Sequence, residues 1–257
     1  MHTLHVALVG LGAMAAAFTL LWVVSLRLRD VSIVDPFWGP GFLLAAAAYL
    51  WAHGEATPRG LLAVGLVAAW AARLGLHLVR RNRSRGEDPR YAAMRAGHGE
   101  RFWWVSLGTV FWLQALLLWV VSLPLLAAVV GRPPLGAWDA AGTVLFVAGF
   151  LTEAVADAQL ARFRADPTNR STVLDRGLWR YSRHPNYFGD ALLWWGLYLL
   201  SVGAGAPWTV AGPVVMTFLL VKVSGVALLE RSLVTARPGY AEYVRRTSAL
   251  VPWFPRD

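Results

Sequence analysis

The sequence predicts an all-α integral membrane protein with about seven transmembrane helices, its N-terminus outside and its C-terminus in the cytoplasm. Of its 257 residues, 57% are hydrophobic and 15% are charged, whereas soluble domains carry about 25% charged residues. The mean hydropathy is +0.48. The 14 tryptophans fit this class, because indole rings favour the membrane interface. The chain has no cysteine, which excludes disulfides and thiolate metal sites.

Seven apolar stretches approach the roughly 20 residues that a spanning helix needs. They are Leu4–Leu26, Ile33–Trp51, Gly60–Val79, Phe102–Val130, Trp138–Ala156, Tyr187–Val202 and Trp208–Leu229, the sixth being the shortest. The first stretch has no basic segment before it and no cleavage site of small residues after it, so we expect a retained helix. No long linker interrupts the chain, so we expect one transmembrane domain over residues 1–257.

The basic residues predict the orientation. Twenty of the 24 lie after the first, third and fifth stretches and in the C-terminal tail. By the positive-inside rule these segments are cytoplasmic, where arginines also bind anionic headgroups of membrane lipids. The net charge of +9 is therefore explained by topology, and no nucleic-acid partner is predicted.

The segment "GLWRYSRHPNYFGDALLWWG", Gly177–Gly196, places polar residues at the start of an apolar stretch. Pro185 favours the first turn of a helix, which puts Asn186 and Asp190 on one face and Arg183 and His184 just outside it. A helix start favours anions. This arrangement would match a dinucleotide. Its phosphates would bind the arginines at the cytoplasmic edge, and its neutral nicotinamide would lie deeper, beside Asn186 and Asp190. No GxGxxG motif occurs, so the membrane domain itself would bind the dinucleotide.

Acidic residues inside apolar stretches are candidates for function. Glu153 and Asp157 share one helix face, which Arg164 continues. Glu153 has two interpretations, a functional acid or a structural ion pair with Arg73 or Lys222.

Asp35, in "IVDPFWGPGF", also has two interpretations. It caps the second helix ahead of Pro36, or it reaches into the bundle as a proton donor or carbonyl ligand. His77 has no second ligand at metal spacing, so we predict no metal.

Asparagines, acids and prolines stand between the cytoplasmic arginines, for example in "FRADPTNRSTVLDRGLWRYSRHPNY". Topology alone explains the arginines, but it does not explain Asn169, Asn186 or Asp190. A polar pocket would explain them.

"GLWRYSRHPNYFGD" resembles the signature of the membrane-embedded steroid 5-alpha-reductase and sterol C14-reductase superfamily. With "VDPFWGPGF", "EDPRYAAMR", "WWVSLGTVFWLQ" and "YAEYVRRTSALVPWF", the chain is similar to a bacterial member of the DUF1295 branch. The resemblance implies an NADPH-dependent reductase of an activated C=C bond in a steroid-like or other hydrophobic substrate. It also implies the bacterial inner membrane, with the cofactor site on the cytoplasmic side.

The resemblance implies phosphate-binding roles for Arg164 and Arg231, and a place beside the nicotinamide for Asn186 and Asp190. The candidate cofactor-binding residues are Asp157, Arg164, Asn169, Trp179, Arg183, His184, Asn186, Asp190, Arg231, Tyr243 and Arg246. The candidates for binding the substrate carbonyl are Asp35, Glu153 and Tyr187. The steroid enzymes' Gln-Glu pair has no counterpart here, and their substrate tyrosine aligns near Trp70. Both departures concern the identity of the substrate more than the type of reaction.

Two alternatives remain open. Isoprenylcysteine and phospholipid methyltransferases, which use S-adenosylmethionine, also resemble "RHPxYxG", but Arg231 stands where they carry a second glutamate after Glu230. Their cofactor is a cation without phosphate, whereas the excess of arginines favours a dinucleotide. A non-enzymatic lipid-binding protein is the other alternative, and it leaves Asn186 and Asp190 unexplained.

Overall fold

The computed structural model describes residues 2–82, 86–169, 171–223, 230 and 237–256. The regular structure in these ranges is helical, which confirms the all-α class. The α-helices are α1 His2–Leu28, α2 Trp38–His53, α3 Pro58–Asn82, α4 Pro89–His98, α5 Phe102–Ser106, α6 Leu113–Val121, α7 Leu123–Val130, α8 Ala137–Ala165, α9 Pro185–Gly203, α10 Ala211–Phe218 and α11 Tyr240–Arg246. Short 3-10 helices include Val31–Phe37 and Gly177–Arg180, and π-helical turns span Leu107–Trp112 and Leu219–Val223.

Several helical runs are long and apolar enough to cross a membrane. Within the described ranges there are five, His2–Leu28, Val31–His53, Pro58–Arg80, Pro89–Val121 and Ala137–Ala165. They support an integral membrane protein in contact with lipid. The 19-residue helix α9 is not among them, and the last apolar run, Pro207–Val223, is shorter. The count of seven spans and the orientation stay predictions.

The predicted fourth stretch, Phe102–Val130, is not one helix. The π-helical turn at Leu107–Trp112 interrupts it, and α6 ends before Ser122. Pro124, at the second position of α7, has no N–H with which to continue the hydrogen-bond ladder of α6. The fifth stretch continues past its predicted end at Ala156, because α8 runs to Ala165.

The chain divides into two compact units. Unit 1 comprises Met1–Gly136 and Leu200–Ala211, and unit 2 comprises Ala137–Leu199 and Gly212–Asp257. The single domain over residues 1–257 stays a prediction.

Unit 1 is built on the packing of α1, α2, α3 and α7. Its largest fully buried side chains include Phe18, Phe42 and Trp70. The buried Arg59 donates from Nη1 to Pro133 O at 2.8 Å and from Nη2 to Pro134 O at 2.9 Å, so its guanidinium stabilises the segment that follows α7.

In unit 2, α8 and α9 touch backbone to backbone. A Cβ atom on Gly189 would lie 2.5 Å from Glu153 N, and one on Gly196 would lie 2.6 Å from Phe146 N. On α8, a Cβ atom on Gly149 would lie 2.6 Å from Gly189 O. Small residues allow this close approach of membrane helices. Because of this contact, Glu153 on α8 lies next to the start of α9.

We expect Gly189→Ala to destabilise the protein by about 1–3 kcal/mol, because its methyl group meets rigid backbone. Gly65→Ala is the matched control in α3, where a Cβ atom would have no neighbour within 4 Å in the described part of the chain. That change should be neutral or stabilise by up to about 1 kcal/mol. The measurement is the midpoint of thermal unfolding in detergent. Equal midpoints for the two variants would contradict the close helix contact.

Candidate functional site

The start of α9 is fixed by hydrogen bonds to the C-terminal segment. Pro185 is the first residue of α9, as predicted. Ser182 Oγ accepts from His184 N at 3.1 Å and donates to Leu250 O at 2.7 Å. Arg183 N donates to Ser248 O at 2.8 Å. The residues before α9 therefore lie against residues 248–250 along their backbone.

Arg183 is a buried guanidinium whose partners are protein groups. Its Nε and Nη2 donate to the two carboxylate oxygens of Glu230 at 2.6 and 3.1 Å. Its Nη1 donates to Val244 O at 2.8 Å and Thr247 O at 2.5 Å. These carbonyls lie at the C-terminal end of α11, where a helix favours positive charge. An arginine has about five N–H groups. Arg183 thus uses four of them to bind Glu230 and the end of α11.

Glu230 also contacts His184, whose Nε2 lies 3.1 Å from Glu230 Oε1. The His184 ring is buried and stacks on Tyr187, with centroids 5.5 Å apart. Burial by itself would raise the pKa of Glu230. The hydrogen bonds from His184 and Arg183, with the charge of Arg183, outweigh burial, so the pKa of Glu230 is lowered from its ordinary value of 4.5.

Tyr243 connects α11 to the residues before α9. Its hydroxyl donates to Trp179 O, and it lies 3.3 Å from Ser182 O. Burial raises its pKa, and burial together with the charge of Glu230 raises the pKa of Tyr240 to about 12. Both phenols are therefore neutral at physiological pH.

The inner part of the site joins α8 to α9. Asn186 Nδ2 donates to Asp157 Oδ1 at 3.2 Å. Asp157 and Glu153, one turn apart on α8, are both buried, and the half-buried Asp190 lies one turn along α9 from Asn186. Asn186 Oδ1 is buried and has no hydrogen-bond partner among the described residues. Buried polar atoms are normally satisfied, so this amide oxygen can accept a hydrogen bond from a ligand.

The outer part of unit 2 contains a cavity of about 370 Å³ between the end of α8 and the segment that follows it. Its lining residues are Gln159, Arg162, Phe163, Asp166, Asn169, Leu174, Arg176 and Gly177. Gly177 has φ +63°, and a Cβ atom there would lie 2.6 Å from Gln159 Nε2. Gln159 Oε1 in turn accepts from Leu178 N at 3.0 Å. This turn requires glycine. Two of the residues that line the cavity are arginines, Arg162 and Arg176.

The remaining predicted cofactor residues that the structure describes lie in unit 2. Trp179 is buried with Ala156 and donates from Nε1 to Ala156 O at 3.1 Å, so its described contacts are structural. Asn169 donates from Nδ2 to Phe163 O at 3.1 Å and borders the cavity. Arg164 and Arg246 are exposed. Arg231 lies outside the described residues.

Asp35 belongs to a separate polar network in unit 1. It accepts from Arg90 Nη2 at 2.9 Å and from the Tyr91 hydroxyl at 2.7 Å. The helical turn around it is capped by Asp30, which accepts from Ser32 N at 2.8 Å. The interpretation of Asp35 as the helix cap is therefore wrong. Its role as proton donor or carbonyl ligand stays a prediction, and both of its described contacts use it as an acceptor.

Sequence reasoning missed two groups of the site. Glu230 was noted only as the glutamate that lacks an acidic neighbour, although it is the partner of both Arg183 and His184. Gln159 was not singled out, although it fixes the Gly177 turn. The available signal for Glu230 was a lone acid at the end of the last apolar stretch, in a tail rich in arginine. No group of three or more possible metal-ligating side chains occurs in the described ranges.

Glu230→Gln should destabilise the protein at pH 7 by about 1.5–3 kcal/mol, because it removes a charged hydrogen-bond partner of Arg183. The folded state lowers the pKa of Glu230 below 4.5. The stabilisation by ionised Glu230 is thus complete above pH 4.5. It is lost as the pH falls through the lower pKa that Glu230 has in the folded protein. The gap in thermal midpoint between wild type and variant should be constant down to about pH 5 and close below pH 4.5.

The control is Glu242→Gln, which removes an exposed ion pair with Arg245 and should change stability by no more than about 1 kcal/mol. A gap between wild type and Glu230→Gln that persists unchanged at low pH would contradict the assignment.

Comparison with known proteins adds one family and one relative. The profile of the family described as "Protein of unknown function (DUF1295)" matches residues 21–247. Uncharacterized protein C594.04c of Schizosaccharomyces pombe is 28% identical over 221 residues, which cover 74% of this chain and 64% of the yeast protein. The chain thus spans less than two thirds of that relative. No solved structure matches it. Because the family match covers most of the sequence, from α1 to the end of α11, the chain belongs to the DUF1295 family.

Proposed function

We propose that this protein is a membrane reductase that uses NADPH to reduce an activated C=C bond of a lipid substrate. The observation that carries the proposal is the orientation of the Asn186 carboxamide. Asp157 holds its Nδ2 at 3.2 Å, and its buried Oδ1 has no hydrogen-bond partner within the described ranges. A buried acceptor left unsatisfied costs about 1–3 kcal/mol. The amide N–H of a nicotinamide would satisfy it.

The charges around Asn186 also suit this cofactor. When bound, NADPH supplies a hydride to an electrophilic carbon, and its ring becomes positive. Glu153 and Asp157 are buried carboxyl groups on the same side of α8, and negative charge there stabilises a cation that develops nearby. Their role in the proposal is electrostatic, while Asp157 also fixes the orientation of Asn186.

The cavity of about 370 Å³ offers a place for phosphate. Arg162 and Arg176 line it, and a charge-assisted hydrogen bond from an arginine to phosphate contributes about 1.5–3 kcal/mol. Arg164 lies two residues along α8 from Arg162 and is exposed. Arg183 enters the proposal as a positioning residue, because most of its N–H groups hold Glu230 and α11.

The chain supplies three possible groups to bind a substrate carbonyl as negative charge develops on it. Tyr187 is half-buried and stacks on His184, and in the proposal its hydroxyl donates to the substrate carbonyl. Glu153 shares that unit, and Asp35 lies in unit 1. A steroid-like or other hydrophobic enone is the proposed substrate class.

Methyl transfer from S-adenosylmethionine is the second candidate function. The buried acids Glu153 and Asp157 favour it, because a sulfonium is cationic and suits negative neighbours. Glu230, the acid that the methyltransferase resemblance would emphasise, is instead engaged by Arg183 and His184. The ligand therefore separates the two functions experimentally.

Purified protein in detergent should bind NADPH at least tenfold more tightly than S-adenosylmethionine, a difference of about 1.4 kcal/mol. The physical reason is the set of arginines around the outer cavity, which have phosphate partners only in the dinucleotide. Isothermal titration with each ligand measures both affinities. In Arg176→Gln, NADPH affinity should fall about tenfold or more, whereas Arg132→Gln, outside unit 2, should leave it unchanged. Tighter binding of S-adenosylmethionine would replace the proposal by its rival.

Asn186→Ala should slow the chemical step more than it weakens cofactor binding. Loss of the carboxamide contact lets the reacting ring shift, and a misplacement of about 1 Å costs roughly a hundredfold in rate. Single-turnover oxidation of NADPH with a panel of lipid enones measures the rate, and titration measures the affinity. Asn169→Ala, at the outer cavity, should show the reverse pattern, with weaker binding and a near-normal rate at saturation. A wild-type rate for Asn186→Ala would remove this residue from the site.

A further inference from the structure

Large apolar side chains near the C-terminus are exposed outside the candidate membrane spans. Trp253 is 70% exposed, Phe254 is 76% exposed and Val251 is 59% exposed. With the neighbouring ring of Tyr181, whose centroid lies 6.1 Å from that of Phe254, they form a surface that we call the tail patch. Exposed apolar surface that is contiguous in this way marks an interaction site.

The backbone holds the tail patch in this exposed position. Trp253 N donates to Tyr181 O at 2.9 Å, and Arg256 N donates to Arg246 O at 2.9 Å. These bonds fix the chain on both sides of the aromatic pair. Pro252 and Pro255 bracket the same pair and restrict its backbone further. The rings are therefore presented by an ordered segment that is fixed before any partner binds.

Basic residues border the tail patch. Arg180 precedes Tyr181, while Arg246 and Arg256 carry the second backbone bond, and all three side chains are exposed. Tryptophan and tyrosine bind at the headgroup level of a bilayer, and arginines beside them bind anionic headgroups. We propose that the tail patch docks on the surface of a membrane that contains anionic phospholipid, with its rings among the headgroups and its arginines on the lipid phosphates.

Docking of the tail patch would stabilise the residues before α9. Ser248 and Leu250 lie between α11 and the patch, and their carbonyls accept from Arg183 N and Ser182 Oγ. A lipid surface that holds the patch also holds these bonds, and with them the Arg183 contacts to Glu230. This coupling is independent of the reaction that the site catalyses.

The absence of cysteine makes a site-specific test direct. Phe254→Cys introduces a unique thiol that can carry an environment-sensitive fluorophore, and Val251→Cys gives a second position on the patch. The full chain is placed in nanodiscs of phosphatidylcholine, with or without about a third of phosphatidylglycerol, together with a phosphatidylcholine that bears a nitroxide quencher. The matched control is Ser171→Cys, an exposed residue of unit 2 outside the patch.

We expect quenching at both patch positions to exceed quenching at residue 171 and to be stronger in the anionic nanodiscs. Each arginine at an anionic surface should shift the ratio of docked to undocked patch by about fivefold. Arg246→Gln with Arg256→Gln should abolish the difference between the two lipid compositions. Amide exchange of residues 247–253 should also be slower in anionic nanodiscs.

Two results would overturn the proposal. Quenching at residues 254 and 251 no greater than at residue 171 would show that the tail patch does not contact lipid. Quenching that does not change with phosphatidylglycerol would remove the role of the three arginines and leave only apolar contact with lipid.

Discussion

A buried guanidinium must find acceptors for its N–H groups, and in unit 2 this requirement fixes the C-terminal half of the fold. Arg183 meets it with the two carboxylate oxygens of Glu230 and two carbonyls at the end of α11. These partners come from two segments that are distant in sequence. Removing one partner of such a pair leaves a buried charge, which costs far more than the pair contributes. The start of α9, Glu230 and α11 are therefore ordered together.

A second constraint acts deeper, where glycines allow α8 and α9 to touch. Without Cβ atoms at Gly149 and Gly189, the backbones approach closely enough for Asn186 to reach Asp157. This arrangement leaves two buried acids on α8 near an amide oxygen that has no hydrogen-bond partner in the part of the chain that the structure describes. Protein interiors rarely retain such a group without a function for it, so the candidate site is centred on Asn186 and not on the exposed arginines alone.

Local pattern was enough to predict several of these features. The apolar stretches gave the helices, Pro185 gave the start of α9, and helical spacing gave the shared face of Asn186 and Asp190. Contacts between residues far apart in the sequence could not be predicted from local pattern. Arg183 and Glu230 are 47 residues apart, and Asp35 and Arg90 are 55 apart. The cap interpretation of Asp35 failed for this reason, because its partners arrive from α4. The prediction of one continuous fourth helix failed differently. Pro124 was a visible signal for the break after α6 that was not used, whereas the π-helical turn before it has no simple periodic signature.

The buried acids would distinguish the two proposed functions by rate, although not by binding. In methyl transfer the sulfonium is fully positive at the start and loses charge as the methyl group leaves. Carboxylates near it therefore stabilise the ground state more than the transition state, which slows the step. In hydride transfer the nicotinamide ring is neutral at the start and gains positive charge, so the same carboxylates stabilise the transition state more. Ionised Glu153 and Asp157 would suit either cofactor as a ligand, but beside it they would accelerate the proposed hydride transfer and slow methyl transfer.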